Sequence, residues 1–152
     1  HSKEGIATLL DFSRMSIESF RIPEDWRFKL VDTGIRRSLS DTNYSSSEVN
    51  MQTRRIHAEE ESARVRIALT SDARALGSIL NESHESISDN IRSSTPEIDN
   101  MVKEIQSTAG VLGARLMGGG FGGMILALVE EEDALPGELL VSSGPAFLQE
   151  TL

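Results

Sequence analysis

Apolar positions along the chain fall into two periods. Residues 5–12, "GIATLLDF", and 27–33, "RFKLVDT", are short apolar runs that fit strands, the second alternating imperfectly through Phe28, Leu30 and Val31. Between them "MSIESFRI" fits a third strand, with Ile17, Ser19 and Arg21 set against Ser16, Glu18, Phe20 and Ile22, and "PED" at 23–25 makes a turn before Trp26. A helical period then takes over. From Arg54 to about Leu69 the stripe is Ile56, Ala63 and Ile67, with the acidic run Glu59, Glu60 and Glu61 expected on a solvated face. Asp72 suits the cap of a second helix carrying Leu76, Ile79, Leu80, Ser83 and Ile87 on one stripe. The third helix has the clearest start, with Thr95 as cap, Pro96 in the first turn and Glu97 at the positive end of the dipole. Its core face is Ile98, Met101, Val102 and Ile105, and Gly110 suits its stop. "GVLGARLM" and "MILALV" follow as two strands, and "ELLVSS" beyond Glu130 suits an edge strand. Strands, then helices, then strands predict an α+β layer, mainly antiparallel with helices packed on one face.

Between the last two strands lies "GGGFGG", residues 118–123. Each glycine loses more backbone freedom on folding than any other residue, so such a cluster needs a geometric return. A hairpin loop is one reading. A dinucleotide fingerprint is a second, matched by position at Gly118, Gly120 and Gly123, but a strand rather than a helix follows. A third is a main-chain wall against a substrate or phosphate, its N–H groups serving as donors.

Composition narrows the classes. The 152 residues suit one domain, and 15 Lys and Arg against 24 Asp and Glu give a net charge of −9. Phosphate backbones and anionic membranes require clustered cations, so neither nucleic acid nor a membrane surface is an expected partner. With no cysteine, disulfides, thiolate metal sites and cysteine nucleophiles are excluded. His1, His57 and His84 lack zinc-protease spacing, and no apolar run approaches the roughly 18 residues of a membrane span. The chain opens at His1 rather than Met, which this reading takes as the start of an excised piece.

"GARLMGGGFGGMILALV" resembles the third signature motif of the small-molecule kinase superfamily that includes galactokinase, homoserine kinase and mevalonate kinase, in its galactokinase form. "VDTGIRRSLSDTNY" at 31–44, "LNESHESISDN" at 80–90 and "STPEIDNMV" at 94–102 are similar to galactokinases in order and approximate spacing. The resemblance implies a ferredoxin-like C-terminal kinase domain over residues 36–152, with strands in 1–35 continuing from an N-terminal kinase domain upstream. It implies transfer of the ATP γ-phosphate, with Mg²⁺, to the anomeric hydroxyl of galactose or a related sugar in a cytoplasmic enzyme. Arg36 and Ser38 would lie at the nucleotide, Tyr44 at the sugar, and Gly118, Gly119, Gly120, Gly122 and Gly123 along the cleft. The aspartate acting on the acceptor hydroxyl, the phosphate loop and the Mg²⁺-supporting groups would belong to the upstream half, leaving this chain silent alone. His84 matches a position in the family and suits a structural histidine, while the partner of Arg115 stays open between a carboxylate and a phosphate.

The chain also departs from that pattern. Arg37 replaces a histidine, Met117 replaces a threonine, "DNIRSS" stands at 89–94, and the segments after Tyr44 and Val129 are short. A second guanidinium would suit an acidic sugar such as galacturonate, and a non-catalytic sensor of sugar and nucleotide is the rival reading.

Overall fold

The computed structural model describes residues 5–36, 51–118, 120 and 122–141. Two antiparallel strands, β1 (Ile6–Asp11) and β2 (Ser16–Arg21), form a hairpin. The chain then turns through Pro23, whose carbonyl accepts from the Trp26 amide, into β3 (Arg27–Asp32). Helix α1 (Met51–Ala68) and helix α2 (Ala73–Ser86) follow, and α2 runs on through one π-helical turn at Ile87–Ile91. Helix α3 (Pro96–Gln106) leads to β4 (Val111–Leu116) and β5 (Met124–Val129). The second sheet has the order β3-β5-β4, all antiparallel. The fold class is therefore α+β, as the order of elements predicts.

Local chemistry sets the helix ends. The Asp72 carboxylate accepts from the Ala75 amide at 2.8 Å, and the Thr95 hydroxyl accepts from the Ile98 amide at 3.3 Å. Helix α3 ends at Gln106, with Ser107 as its cap, earlier than its glycine suggests; Gly110, at φ +82°, instead makes the turn into β4, and its carbonyl accepts from the Glu130 amide. Helix α1 starts at Met51, three residues before the expected Arg54.

Side chains alternate along β5, and two apolar clusters use the two sets. Ile125, Ala127 and Val129 pack with Ala114 and Leu116 beneath Ile98, Val102 and Ile105 of α3. Leu128 packs with Trp26 and with Leu76 and Leu80 of α2. Helix α2 also runs along the outer edge of β4, so closely that a Cβ on Gly113 would overlap the Gly77 carbonyl. An open sheet edge exposes unpaired amides and carbonyls, and here side chains take them. Asn81 accepts from the Ala114 amide at 2.9 Å, His84 accepts from the Leu116 amide at 3.3 Å, and Gln106 donates to the Ala114 carbonyl at 3.0 Å.

Two expectations fail. Helix α1 buries no residue, and Ile56 and Ile67 of its stripe are 39% and 59% exposed, because among the described residues neither apolar cluster includes α1's stripe. The tail does not form an edge strand within the described residues: its Leu140 amide bonds the Phe28 carbonyl of β3, and 138–141 carry no strand there. What pins the segment after β5 is Lys29, buried in β3, whose ammonium donates to the carbonyls of Leu135 and Gly137 at 2.6 Å each.

Candidate functional site

The glycine loop joins β4 to β5 as a hairpin, and its conformation requires glycine. Gly118, Gly120, Gly122 and Gly123 have φ of +73°, +90°, +145° and +95°, a region that a side chain makes costly. Two of the four are also pressed against neighbouring main chain. A Cβ on Gly120 would run into Ser93, and one on Gly122 would come within 2.5 Å of the Ile35 carbonyl oxygen. Gly118 and Gly123 face no described atom within 4 Å of a Cβ position, so among the described residues the loop keeps an open side of bare backbone.

The loop is docked onto the residues that continue β3. The Gly123 carbonyl accepts from the Thr33 amide and hydroxyl, both at 2.9 Å, and the Gly123 amide donates to the Ile35 carbonyl at 3.1 Å. These bonds carry the sheet's ladder one step past its last paired residues. They also place Arg36, the next residue, beside the hairpin. Its guanidinium grips the Asp32 carboxylate with both nitrogens, at 2.7 and 2.5 Å, and both side chains stay exposed. That grip, together with the Gly34 amide, holds the Asp32 carboxyl down at about 2. A planar guanidinium already arranged in a fork can exchange a carboxylate for a phosphate with little change of shape. Ser38, Tyr44 and Gly119 lie outside the described residues.

Behind the hairpin a polar network crosses three elements. Arg115 of β4 donates to the Glu61 carboxylate of α1 at 2.6 Å and to the Ser83 hydroxyl at 2.7 Å, while Ser83 donates to Glu61 at 2.6 Å. Burial pushes the Glu61 carboxyl up, and Ser83, Arg115 and Arg64 outweigh it, so the group sits below its ordinary range. This settles Arg115 on a carboxylate and corrects the reading of the acidic run. Glu59 and Glu60 are exposed to solvent, but Glu61 turns inward. The missed signal was the pairing itself: Glu61 and Arg115 are 54 positions apart, and no local period links them. On α2, buried His84 faces Asp99 across 3.1 Å, and Ser88 donates to the same carboxylate at 2.8 Å. His57 shares the Ser86 hydroxyl with Asn90 at 2.9 Å each. Burial lowers the pKa of both histidines, more than Asp99 raises that of His84. Among the described residues no three His, Asp or Glu side chains converge as a metal site, and no helix is long and apolar enough to cross a membrane.

An α+β layer whose central hairpin carries a glycine loop docked beside an arginine defines a class. Residues 63–136 match the family described as GHMP kinases C terminal, and that stretch is a GHMP kinase C-terminal domain. Within the class, the chain is similar to galactokinases. It is 31% identical over 159 aligned positions to the galactokinase of Thermococcus kodakarensis, spanning 84% of this chain and 45% of that protein. It is 42% identical over 85 residues to the galactokinase of Streptomyces coelicolor, spanning 55% of this chain and 22% of that protein. In fold it resembles Lactococcus lactis galactokinase solved with galactose, with a TM-score of 0.70 at 24% identity over 84% of this chain and 44% of that one. The chain thus spans less than half the length of these relatives, and aligns with a C-terminal portion.

Proposed function

We propose that this chain is the C-terminal part of a galactokinase-like sugar kinase, which moves the γ-phosphate of ATP to the anomeric hydroxyl of galactose or a related sugar. The carrying observation is the docking of the glycine loop on Thr33 and Ile35, which sets two stretches with separate galactokinase resemblance side by side. In this reading residues 1–35 bring strands from a preceding kinase domain, and residues 36–152 form the C-terminal domain. Its partners are the sugar, ATP and that preceding domain.

The roles follow from chemistry. Arg36 releases Asp32 and takes a nucleotide phosphate in the same bidentate fork, with Ser38 as a hydroxyl partner. Tyr44 offers a phenol to a sugar hydroxyl and a ring to its apolar face. The open side of Gly118 and Gly123 lets main chain approach the reacting groups without a side chain between. When bound, Mg²⁺ supplies charge to the transferring phosphate; its ligands and the aspartate facing the acceptor hydroxyl would come from the preceding domain. Phosphoryl transfer depends on such positioning and charge stabilisation, so this chain by itself should not turn over.

The test is a coupled ADP-release assay of the longer protein carrying this chain, with galactose, galacturonate, arabinose and N-acetylgalactosamine. ADP formation with galactose supports the reading. Preference for galacturonate moves it to an acidic sugar, and silence with every sugar, despite binding of sugar and nucleotide, replaces the kinase with a sensor. Turnover by residues 1–152 alone would contradict the division of labour.

A further inference from the structure

The two ring nitrogens of His84 face different elements. On one side the Leu116 amide lies 3.3 Å from Nδ1, and on the other the Asp99 carboxylate lies 3.1 Å from Nε2. An amide can only donate, so Nδ1 must accept and the ring proton sits on Nε2, where it donates to Asp99. Ser88 holds the second oxygen of that carboxylate, which fixes the acceptor for Nε2. A neutral ring satisfies both contacts. A second proton on Nδ1 would set one donor against another, and the Leu116 amide would lose its partner.

Leu116 is the last residue of β4, two positions before Gly118, and its amide points to the outer edge of the sheet. Beyond it the loop rests on Ser93 at Gly120 and on Ile35 at Gly122. Among the described residues the His84 contact is thus the bond from α2 to the β4 main chain that lies nearest the loop. The charges facing the ring are Asp99 from α3, Arg115 from β4 and Glu85 from its own helix, and Arg115 is already engaged by Glu61 of α1.

We propose that His84 is a positioning residue for the glycine loop: its neutral imidazole holds the Leu116 amide and fixes the path of β4 into Gly118, and protonation releases that hold. The inference deepens the kinase reading, because it gives the loop assigned to sugar and phosphate a pH-dependent anchor. Burial keeps the ring neutral near pH 7, with the carboxylate of Asp99 acting in the opposite sense.

The test needs no ligand, so its outcome is separate from that of the kinase assay. Amide exchange of the chain is followed by ¹H–¹⁵N NMR from about pH 7.5 to about pH 5, after correction for intrinsic exchange. In the wild type, protection of the Leu116 amide should fall along the His84 titration, and the Gly118 and Gly123 signals should shift with it. His84→Asn places an uncharged oxygen where Nδ1 lies, so protection should persist and lose its pH dependence. His84→Leu removes the acceptor, so Leu116 should exchange about tenfold faster than in the wild type near pH 7.5, with the difference closing as the wild-type ring titrates, while Val102 and Ile105 stay protected. Leu116 protection that ignores both the titration and His84→Leu would overturn the proposal. So would wild-type loss shared equally by Val102, or a pH dependence in His84→Asn equal to the wild type's.

Discussion

Helices α3 and α1 both carry an apolar stripe, yet they sit on the molecule in different ways. Helix α3 buries Ile98 and Val102 completely against the sheet. Helix α1 is longer, buries nothing, and is tied down by Glu61, His57 and Arg64 through polar contacts. Apolar burial yields roughly 25 cal/mol per Å² and needs only shape, whereas an ion pair near solvent returns little energy and demands a particular geometry. The contrast separates what stabilises this domain from what orients its parts.

The largest effect should come from α3. Ile98→Ala removes a fully buried side chain and should cost about 2–5 kcal/mol, read from urea unfolding. A loss below about 1 kcal/mol would place the core elsewhere. Next is the polar tie of α1. Glu61→Gln leaves the half-buried Arg115 guanidinium without its counter-charge and should cost about 1–2 kcal/mol. A double-mutant cycle with Arg115→Met isolates the pair, and a coupling near zero would reduce it to a passive contact.

Acid should act on the same ties. The folded-state pKa values of His57 and His84 lie below their ordinary value of 6.5, so the unfolded chain binds their protons first. Their contribution is complete above about pH 6.5 and is lost as pH falls through the lowered values. Urea midpoints should therefore drop between pH 7 and pH 5, and a double substitution of both histidines by Asn should flatten that limb. The smallest effect belongs to the exposed stripe of α1: Ile67→Ser should change stability by less than about 0.5 kcal/mol. A cost several times larger would mean that this stripe is covered in solution.

The same contrast explains what could be read in the amino-acid order. Caps at Asp72 and Thr95, the apolar run of 124–129 and the glycine hairpin are local, and each has a physical signature within a few residues. The stripe of α1 also has a local signature, but whether another element covers it depends on the rest of the fold. Long-range pairing leaves no such mark. Glu61 turned inward because Arg115 waits on β4, and Lys29 lies buried in a strand because two carbonyls after β5 accept from it. For the site, sequence motifs singled out Arg36 and the glycines but could not show that Gly123 bonds to Thr33 and Ile35. Ser38 and Tyr44 keep their roles as part of the proposal alone.

The central claim is that the loop's bare side faces the reacting sugar and phosphate, and Gly118→Ala in the longer protein tests it. A methyl group there meets no described atom within 4 Å, while its φ of +73° adds only about 1–2 kcal/mol of local strain. In that variant kcat/KM for the sugar should fall at least about tenfold, with unfolding stability reduced by no more than that strain. Wild-type kcat/KM in a variant that carries the methyl group would contradict it.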